Sequence, residues 1–575
     1  MKKYLFLAMA LLGMASCTNE DITNGNKPIH GGEIEESYIA INLSASDITR
    51  AETTTPEFED GEEAERRVNH VDFFFFDESG NPFSVVGNPA VAPGGGRNHL
   101  RATDVTFTKD SKKTDDISDT SSPVLLLQTY KGHYPSQIVA VLNWSTDTNK
   151  SYSLDELHAA VNITEKFEGT DYFVMSNAVY ASNGKTVNAT ALPESSIKKT
   201  KDEAMDAPIS IYVERVAAKV AVSTKSGLNV IDLNKPVEGL TSIGELVTKN
   251  VYAKLLGWEL YNDNTQSYLL KQITPSWTAE AIGFNWNDAP WYRSYWAISL
   301  DRPEGTDNSF QMTYNDYENA GFDNQYGFEL GGATYIGENT NGKDNGTKVI
   351  LKAQLVDAAE NGQPIEIASW YGNKYIGEES LCTAVANTLK YTLFYLDEEN
   401  NKYIGIKPED LQCVAGGTTD AQGVAANEVY FQLSNKTDCG KNRPGGWYKL
   451  VEGVYKPVAD NLNPDTYSVD ATNDYLKTIQ PGILYKNGET FYYVDIKHLG
   501  APNSLAEYGV VRNHIYNIVI NSIGGYGSPI YVGTSNLVTP GYPDTPDAEE
   551  SFVSAQINIL SWRLVNQEVD IQPNN

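Results

Sequence analysis

The sequence has few of the residues that build most catalytic and metal sites. Its 575 residues include only four cysteines and seven histidines. Three of the cysteines, Cys382, Cys413 and Cys439, have no CxxC spacing, which argues against a zinc site and against a disulfide scaffold, while one bridge among the three is left open. No HExxH, GxSxG, Walker A or GxGxxG motif stands out. We therefore predict that the protein is not an enzyme and that it binds neither a metal ion nor a cofactor.

Positive charge is also scarce. The chain has 44 Lys and Arg residues against 75 Asp and Glu residues, which gives a formal net charge of −31. An acidic surface of this kind repels phosphate backbones, so we predict that nucleic acid is not a partner. The same charge keeps an abundant exported protein soluble.

The chain has only one long apolar run, at its start. A short basic region, Met1-Lys2-Lys3, precedes the run Tyr4–Met14, which is too short to cross a bilayer as a mature helix. Small residues then lead to Cys17. This is the pattern of a lipoprotein signal peptide that is cleaved before Cys17, whose thiol then carries the lipid. The alternative is an ordinary secretory signal with an incidental cysteine.

Beyond the signal, alternating apolar residues and turn signals predict an all-β protein with a few short helices. A capping box at Ser153 predicts one helix as far as about Val161, and the segment from Ala386 to Tyr395 is interpreted as a strand. We predict two β-sandwich domains within the following five segments: a signal peptide (1–17), a propeptide with the first strand (18–50), an N-terminal domain (51–226), a C-terminal domain with large loops (227–540), and a linker with the last strand (541–575).

An amphipathic strand is predicted near each end of the exported chain. Near the N-terminus Ile39, Ile41 and Leu43 alternate, and Arg50 with Ala51 follows in a polar segment that suits an Arg-specific protease. At the other end a Pro/Asp/Glu-rich linker, residues 540–550, precedes a strand with an apolar face. That face is predicted to consist of Val553, Ala555, Ile557 and Ile559, with Trp562 and Leu564 continuing it.

In addition, the sequence resembles the Bacteroidetes-type (type V) fimbrillins, and among them the shaft subunits of Mfa-type short fimbriae. Five stretches carry the resemblance, in order and at matching distances from both ends. They are the lipoprotein start ending at Cys17, residues 48–51 (ITRA), residues 213–225 (VERVAAKVAVSTK), residues 511–518 (VRNHIYNI), and the ending of residues 559–563 (ILSWR) with residues 568–571 (EVDI).

The resemblance implies a function and its partners. Such subunits have transthyretin-like sandwich domains and reach the outer membrane as lipoproteins, where an Arg-specific protease cuts after the residue matching Arg50. The first strand then leaves, and the last strand of an identical subunit fills its place, giving a head-to-tail fimbria that supports adhesion and biofilm formation. Anchor and tip subunits and host or bacterial surface receptors are the further partners implied.

Three alternatives are left open. The last strand, Phe552–Ile571, could complete its own sheet instead of a neighbour's. The chain could be a tip or accessory adhesin that binds a glycan or protein receptor. A surface glycan hydrolase would need paired carboxylates, for which no motif is visible. A sugar-binding role would draw on the aromatic cluster of Trp277, Trp286, Trp291 and Trp296.

Overall fold

The fold was analysed in a computed structural model of the chain. It describes residues 34–44, 65, 67–85, 96–103, 120–121, 123–147, 149–162, 173–178, 180–182, 185–187, 189–225, 227, 229–272, 297–300, 330–359, 361–416, 424, 428–498, 502–503, 507–529, 552–561 and 565–566. Within these residues β-strands predominate and helices are few and short, so the predicted all-β class is confirmed.

Within the described residues, twelve strands precede residue 216. They are β1 (Ile34–Ser44), β2 (His70–Phe76), β3 (His99–Thr103), β4 (Thr120–Ser121), β5 (Val124–Tyr130), β6 (Gln137–Leu142), β7 (Ala160–Asn162), β8 (Met175–Asn177), β9 (Tyr180–Ser182), β10 (Lys185–Val187), β11 (Thr190–Ala191) and β12 (Ile209–Arg215).

Twenty-two further strands follow. They are β13 (Ala218–Thr224), β14 (Val230–Asp232), β15 (Val237–Leu240), β16 (Leu246–Lys249), β17 (Tyr252–Tyr261), β18 (Gln266–Tyr268), β19 (Ala333–Ile336), β20 (Lys348–Val356), β21 (Ile367–Trp370), β22 (Asn373–Ile376), β23 (Leu393–Asp397), β24 (Lys402–Gly405), β25 (Leu411–Ala415), β26 (Val429–Leu433), β27 (Trp447–Val451), β28 (Val454–Pro457), β29 (Ile483–Tyr485), β30 (Glu489–Asp495), β31 (His514–Gly524), β32 (Ser528–Pro529), β33 (Phe552–Ser561) and β34 (Val565–Asn566).

The N-terminal strands build one large sheet around the first apolar core. Its order is β3-β2-β6-β8-β12-β1-β4, with β11 paired to β6 and β5 paired to β1. The core is dominated by the four consecutive phenylalanines of β2, Phe73 to Phe76, and by Ile138 to Leu142 of β6, all fully buried. A run of buried β-formers bounded by turn residues, as in both strands, is a strong strand signal.

A second core lies between two five-stranded sheets. The sheet orders are β19-β13-β31-β33-β34 and β14-β17-β20-β30-β32. Val220 of β13 and Ile518 of β31 share one buried cluster with Leu255 of β17 and Leu351 of β20. Since both sheets contribute to the same cluster, they face each other as the layers of a β-sandwich.

A third core lies within residues 368–484. Helix α3 (Glu378–Leu389) presents Leu381, Val385 and Leu389 to it, at the i, i+4, i+8 spacing of one helix face. The remaining sheets have the orders β16-β15-β22-β21-β29, β24-β23-β27-β28 and β25-β26, while β9 with β10 and β7 with β18 form small ribbons. The segment predicted as one C-terminal domain, 227–540, thus holds two apolar cores.

Two local predictions are wrong. The segment predicted as a strand from Ala386 to Tyr395 contains the end of α3 and the start of β23. Helix α3 begins at Glu378, eight residues before the predicted strand, so the prediction took the last turn of a helix for the start of a strand. The capping box at Ser153 is present, since the Ser153 N–H donates to Glu156 Oε2 at 2.8 Å and the Glu156 N–H donates to Ser153 Oγ at 3.2 Å. It opens only a 3-10 turn, Asp155–His158, before β7 begins.

The other α-helices are short. They are α1 (Lys201–Met205), α2 (Gly342–Asn345) and α4 (Val469–Lys477). Among the residues that the structure describes, no helix is both long and apolar enough to cross a membrane.

Burial of Glu259 in β17 generates a pH prediction. Burial raises the pKa of Glu259 to about 8, with the charge of Asp263 adding to the effect. The protonated form is therefore favoured in the folded state. The stability gained from the protonated Glu259 side chain is complete below the pKa that this residue has in the unfolded chain. It is lost as the pH rises through 8, by at most about 1.4 kcal/mol per pH unit.

We accordingly expect Glu259→Gln to raise the melting temperature relative to the parent chain at pH 9, and to do so much less at pH 5. Thermal melts at pH 5, 7 and 9 measure the difference. Glu238→Gln, at an exposed position of β15, is the control. A Glu259→Gln shift of equal size at all three pH values would contradict the prediction.

Candidate functional site

The first strand lies in the interior of the N-terminal sheet. Its first half pairs antiparallel with β5, with Ile39 opposite Leu125. Its second half pairs parallel with β12, with Ile41 opposite Ile209, while the last two residues pair antiparallel with β4. A bridge to Lys198 adds two further backbone hydrogen bonds, of 2.7 and 2.8 Å, to Tyr38. Each half of β1 therefore depends on a different neighbouring strand.

The buried face of β1 fills the first core. Ile39 and Ile41 are completely buried, and Ser37 is 2% exposed. Opposite Tyr38, Leu126 of β5 is 39% exposed, whereas Ala40, between the two isoleucines, is also buried at 1% exposed. The sheet therefore covers both faces of β1 at Ala40, and the role of Ile39 and Ile41 in a removable strand stays a prediction. For Leu43, backbone pairing with Ile211 and Ser121 is described.

Several predicted processing residues lie outside the described part of the chain. These are the lipidation residue Cys17 and the cleavage site at Arg50 and Ala51. The linker 540–550, the Trp277 to Trp296 cluster, and the donor-face residues Trp562 and Leu564 also lie outside it. They stay predictions from sequence.

The last long strand is paired within its own chain. β33 lies antiparallel to β31 over its whole length, from Phe552 opposite Gly524 to Ser561 opposite His514, and β34 pairs with its other side. In this arrangement the last strand completes its own sheet, as one of the alternatives from the sequence analysis requires. It describes a single chain, so exchange between chains remains a prediction.

The backbone register of β33 is described over its whole length. Four alternate positions of β33 pair with residues of β31 that are no more than 2% exposed. The pairs are Val553 with Ile523, Ala555 with Ile520, Ile557 with Ile518, and Ile559 with Tyr516. The apolar donor face itself stays a prediction.

Two of the sequence stretches quoted above meet where β12 passes into β13. Lys219 forms a 2.8 Å ion pair with Glu65, whose carboxylate also accepts a hydrogen bond from the Tyr335 hydroxyl. The Arg215 Nε donates to the Glu65 carbonyl at 2.8 Å, and the Asn513 N–H donates to the Ala217 carbonyl at 2.7 Å. Residues from opposite ends of the chain are thereby joined at one buried point.

Two further ion pairs are buried beside this point. The guanidinium of Arg512 forms a two-pronged pair with Glu338, with both distances at 2.7 Å, and Lys271 pairs with Glu214 at 2.8 Å. All four side chains are at most 1% exposed. Burial acts to lower the pKa of Arg512, but the neighbouring Glu338 carboxylate more than compensates, so the pKa of Arg512 is raised. For Lys271, burial is the largest effect and the pKa is lowered. We name these four residues, with Glu65, Arg215 and Lys219, the charged junction.

Sequence reasoning found part of this junction. The stretches 213–225 and 511–518 were singled out only for their resemblance to fimbrillins, and no contact between them was predicted. Glu65, Lys271 and Glu338 were missed. A long-range pair such as Arg512 with Glu338, 174 positions apart, leaves no local pattern in a single sequence.

One group of side chains is close enough to hold a metal ion among the described residues. Glu378 and Cys382 of α3 and Cys413 of β25 place their ligand atoms within 4.8 Å of one another. The sequence has no CxxC spacing typical of a zinc site, and the two cysteines, which are 31 positions apart, come together only in the fold. Thiolates suit soft cations such as Zn²⁺, but a zinc site ordinarily has a fourth ligand.

Comparison with known families identifies the C-terminal region. Residues 483–568 match the family described as "Major fimbrial subunit protein type IV, Fimbrillin, C-terminal". The match includes β29 to β34, and therefore the strand pair β31–β33. It confirms the predicted resemblance to fimbrillins and supports a fimbrial subunit. The narrower resemblance to Mfa-type shaft subunits stays a prediction.

Solved structures give weaker likenesses. The fimbrilin of Porphyromonas gingivalis W83 aligns at 10% identity and TM-score 0.34 over 92% of this chain and 98% of its own. A candidate cell adhesion protein from Parabacteroides distasonis aligns at 12% identity and TM-score 0.34 over 92% and 98%. A fimbrial assembly protein from the same species aligns at 11% identity and TM-score 0.28 over 70% and 97%. No curated protein sequence matches the chain.

The charged junction generates a stability prediction. Glu338→Gln removes the carboxylate that is hydrogen-bonded to buried Arg512, although the charge of Glu214 remains, and breaking such a pair costs about 3–5 kcal/mol. We expect this loss in the free energy of unfolding by urea, with a cooperative transition retained. Glu409→Gln is the control, because its 3.7 Å pair with Lys407 joins side chains 43% and 45% exposed, which are worth at most about 1 kcal/mol. Equal losses in the two variants would contradict the prediction.

Proposed function

We propose that this chain is the shaft subunit of a cell-surface fimbria that polymerises by strand exchange. One observation carries the proposal: the strand nearest the N-terminus in the described structure is an interior strand of its own sheet and ends six residues before Arg50. Cleavage after Arg50 cuts the covalent link between this strand and the rest of the domain. Only non-covalent contacts then retain it.

Loss of β1 leaves a defined acceptor. The backbone N–H and C=O groups of β5 and β12 that pair with β1 become unpaired, and the space of Ile39 and Ile41 becomes an apolar trench. Refilling that trench with two large aliphatic side chains is worth about 3–6 kcal/mol before ordering costs. An incoming strand that also restores the backbone hydrogen bonds binds by β-augmentation.

The last strand has the dimensions of a suitable donor. β33 has 10 residues against 11 in β1, and it alternates apolar residues at every second position over four repeats. The partner is a second copy of the chain. Because donor and acceptor are different surfaces, the contact is head-to-tail and extends as a fibre instead of closing as a dimer.

Export and assembly complete the proposal. The signal ending at Cys17 carries the precursor to the outer membrane as a lipoprotein, where an Arg-specific protease releases residues 18–50 with β1. The fimbria is non-enzymatic and supports adhesion and biofilm formation, with anchor and tip subunits at its ends and surface receptors of a host or another bacterium as targets.

Proteolysis tests the central step. A precursor lacking Cys17 is treated with an Arg-specific protease, and we expect SDS-resistant ladders and filaments in electron micrographs, with Ala51 as the new N-terminus by mass spectrometry. Arg50→Ala is the control and should stay monomeric under the same treatment. Cleaved chains that remain stable monomers with β1 retained would exclude strand exchange and favour the adhesin alternative.

The periodicity of β33 provides a second test. Ile557→Asp places a charge on the face that opposes buried Ile518, whereas Asn558→Asp places it on the other face. We expect the first variant to prevent ladder formation after cleavage and the second to leave it unchanged, with cleavage after Arg50 intact in both. Equal ladders from both variants would show that this face of β33 does not enter a neighbour.

A further inference from the structure

The fold brings two of the three thiols in the C-terminal half together. Cys382 is 3% exposed in the middle of α3, and Cys413 lies in β25, directly opposite Phe431 of β26. Their sulfur atoms are within 4.8 Å, and each thiol is within hydrogen-bonding reach of the other. Both residues belong to the third core or pack against it. The pair therefore lies between a helix and a strand that also share apolar contacts in the third core and one hydrogen bond, from the Cys413 N–H to Glu378 Oε1.

The surroundings of this pair disfavour a metal ion. Glu378, which would be the third ligand, already has a partner for each oxygen: Oε1 accepts from the Cys413 N–H at 2.8 Å, and Oε2 lies 3.5 Å from the Lys486 ammonium. The hydrogen bond with Cys382, followed by burial, raises the pKa of the Cys413 thiol. A neutral thiol is a poor metal ligand, because metals bind the thiolate.

We propose that Cys382 and Cys413 form a disulfide bond in the exported protein. The inference rests on the proposed function in one respect, since disulfides persist in oxidising compartments outside the cytoplasm. The third thiol, Cys439, lies beside Arg443 and stays reduced. The bond closes a loop of 31 positions and joins α3 to β25. It restricts the unfolded chain and so stabilises the third core.

The oxidation requires a disulfide-bearing thiol oxidoreductase. During folding the thiolate of Cys413, the more exposed of the two residues, attacks a sulfur of the oxidoreductase disulfide and forms a mixed disulfide. The Cys382 thiolate then attacks Cys413 Sγ and displaces the oxidoreductase thiolate. Two electrons pass to the oxidoreductase, which leaves as a dithiol, and the two cysteine protons protonate its sulfurs.

Mass spectrometry of wild-type protein from the bacterial surface tests the proposal. Thiols are alkylated at lysis without reductant, and the chain is then unfolded in guanidinium with alkylating agent still present and digested. We expect a cross-linked peptide containing Cys382 and Cys413 with two hydrogens fewer than its separate parts, and alkylation of Cys439 alone. Reduction before alkylation should modify all three. Alkylation of Cys382 and Cys413 without reductant would overturn the proposal.

The same samples separate the remaining outcomes. A bound cation in the native mass spectrum, released by EDTA with both thiols then alkylated, would also overturn the disulfide. An N-terminus at Ala51 with both thiols free rejects the disulfide alone. If the protein is found only in the cytoplasm, the proposed export is rejected. The purified chain is then refolded in a glutathione redox buffer, and failure to form the bond there would reject the disulfide as well.

Matched variants make the result specific. Cys382→Ser should leave Cys413 alkylated without reductant, whereas Cys439→Ser should retain the cross-linked peptide. Reductant should lower the melting temperature of wild type and of Cys439→Ser, and should have no effect on the Cys382→Ser/Cys413→Ser double variant. A reductant effect that persists in the double variant would contradict the assignment.

Discussion

The backbone pairing of β1 is the constraint on which the N-terminal half of the molecule depends. One strand supplies hydrogen bonds to β5 through its first half and to β12 through its second, and its buried residues Ile39 and Ile41 complete the first core. A sheet with such a strand removed has unpaired polar groups and exposed apolar surface together, which no monomer tolerates well. If β1 is released as proposed, the same constraint supplies the driving force for association.

The charged junction is independent of the two strands that the proposed exchange would move. Its ion pairs join Glu65 to Lys219, Glu214 to Lys271 and Glu338 to Arg512, none of which involves β1 or β33. Buried pairs of this kind contribute little net stability compared with apolar packing, but they strongly penalise any rearrangement that separates them. The junction is thus expected to oppose separation of the segments that it joins if β1 is released as proposed.

The sequence predicted the elements whose signal is local and missed those that depend on distant contacts. The all-β class was predicted, because alternating apolar residues and turn signals are visible in the local sequence. Helix α3 was missed in part because its Leu381, Val385 and Leu389 stripe was not extended back to Glu378, although that spacing was visible in the sequence. The alternation of β1 and β33 was predicted from period two alone. The partner of Arg512 and the approach of Cys382 to Cys413 required the three-dimensional fold, because neither pair is close in the chain.

The central claim is that β33 of one subunit occupies the place of β1 in the next, and isotope-mixed cross-linking tests it most directly. A photoreactive residue replaces Gln556 of β33, which pairs with Val519 of β31, and equal amounts of light and heavy-isotope precursor are cleaved after Arg50, assembled and irradiated. The account predicts cross-links from position 556 to peptides of β5 or β12, with half of them joining a light to a heavy chain. Cross-links confined to β31, each within chains of a single isotope, would show that β33 stays on its own sheet and would contradict the account.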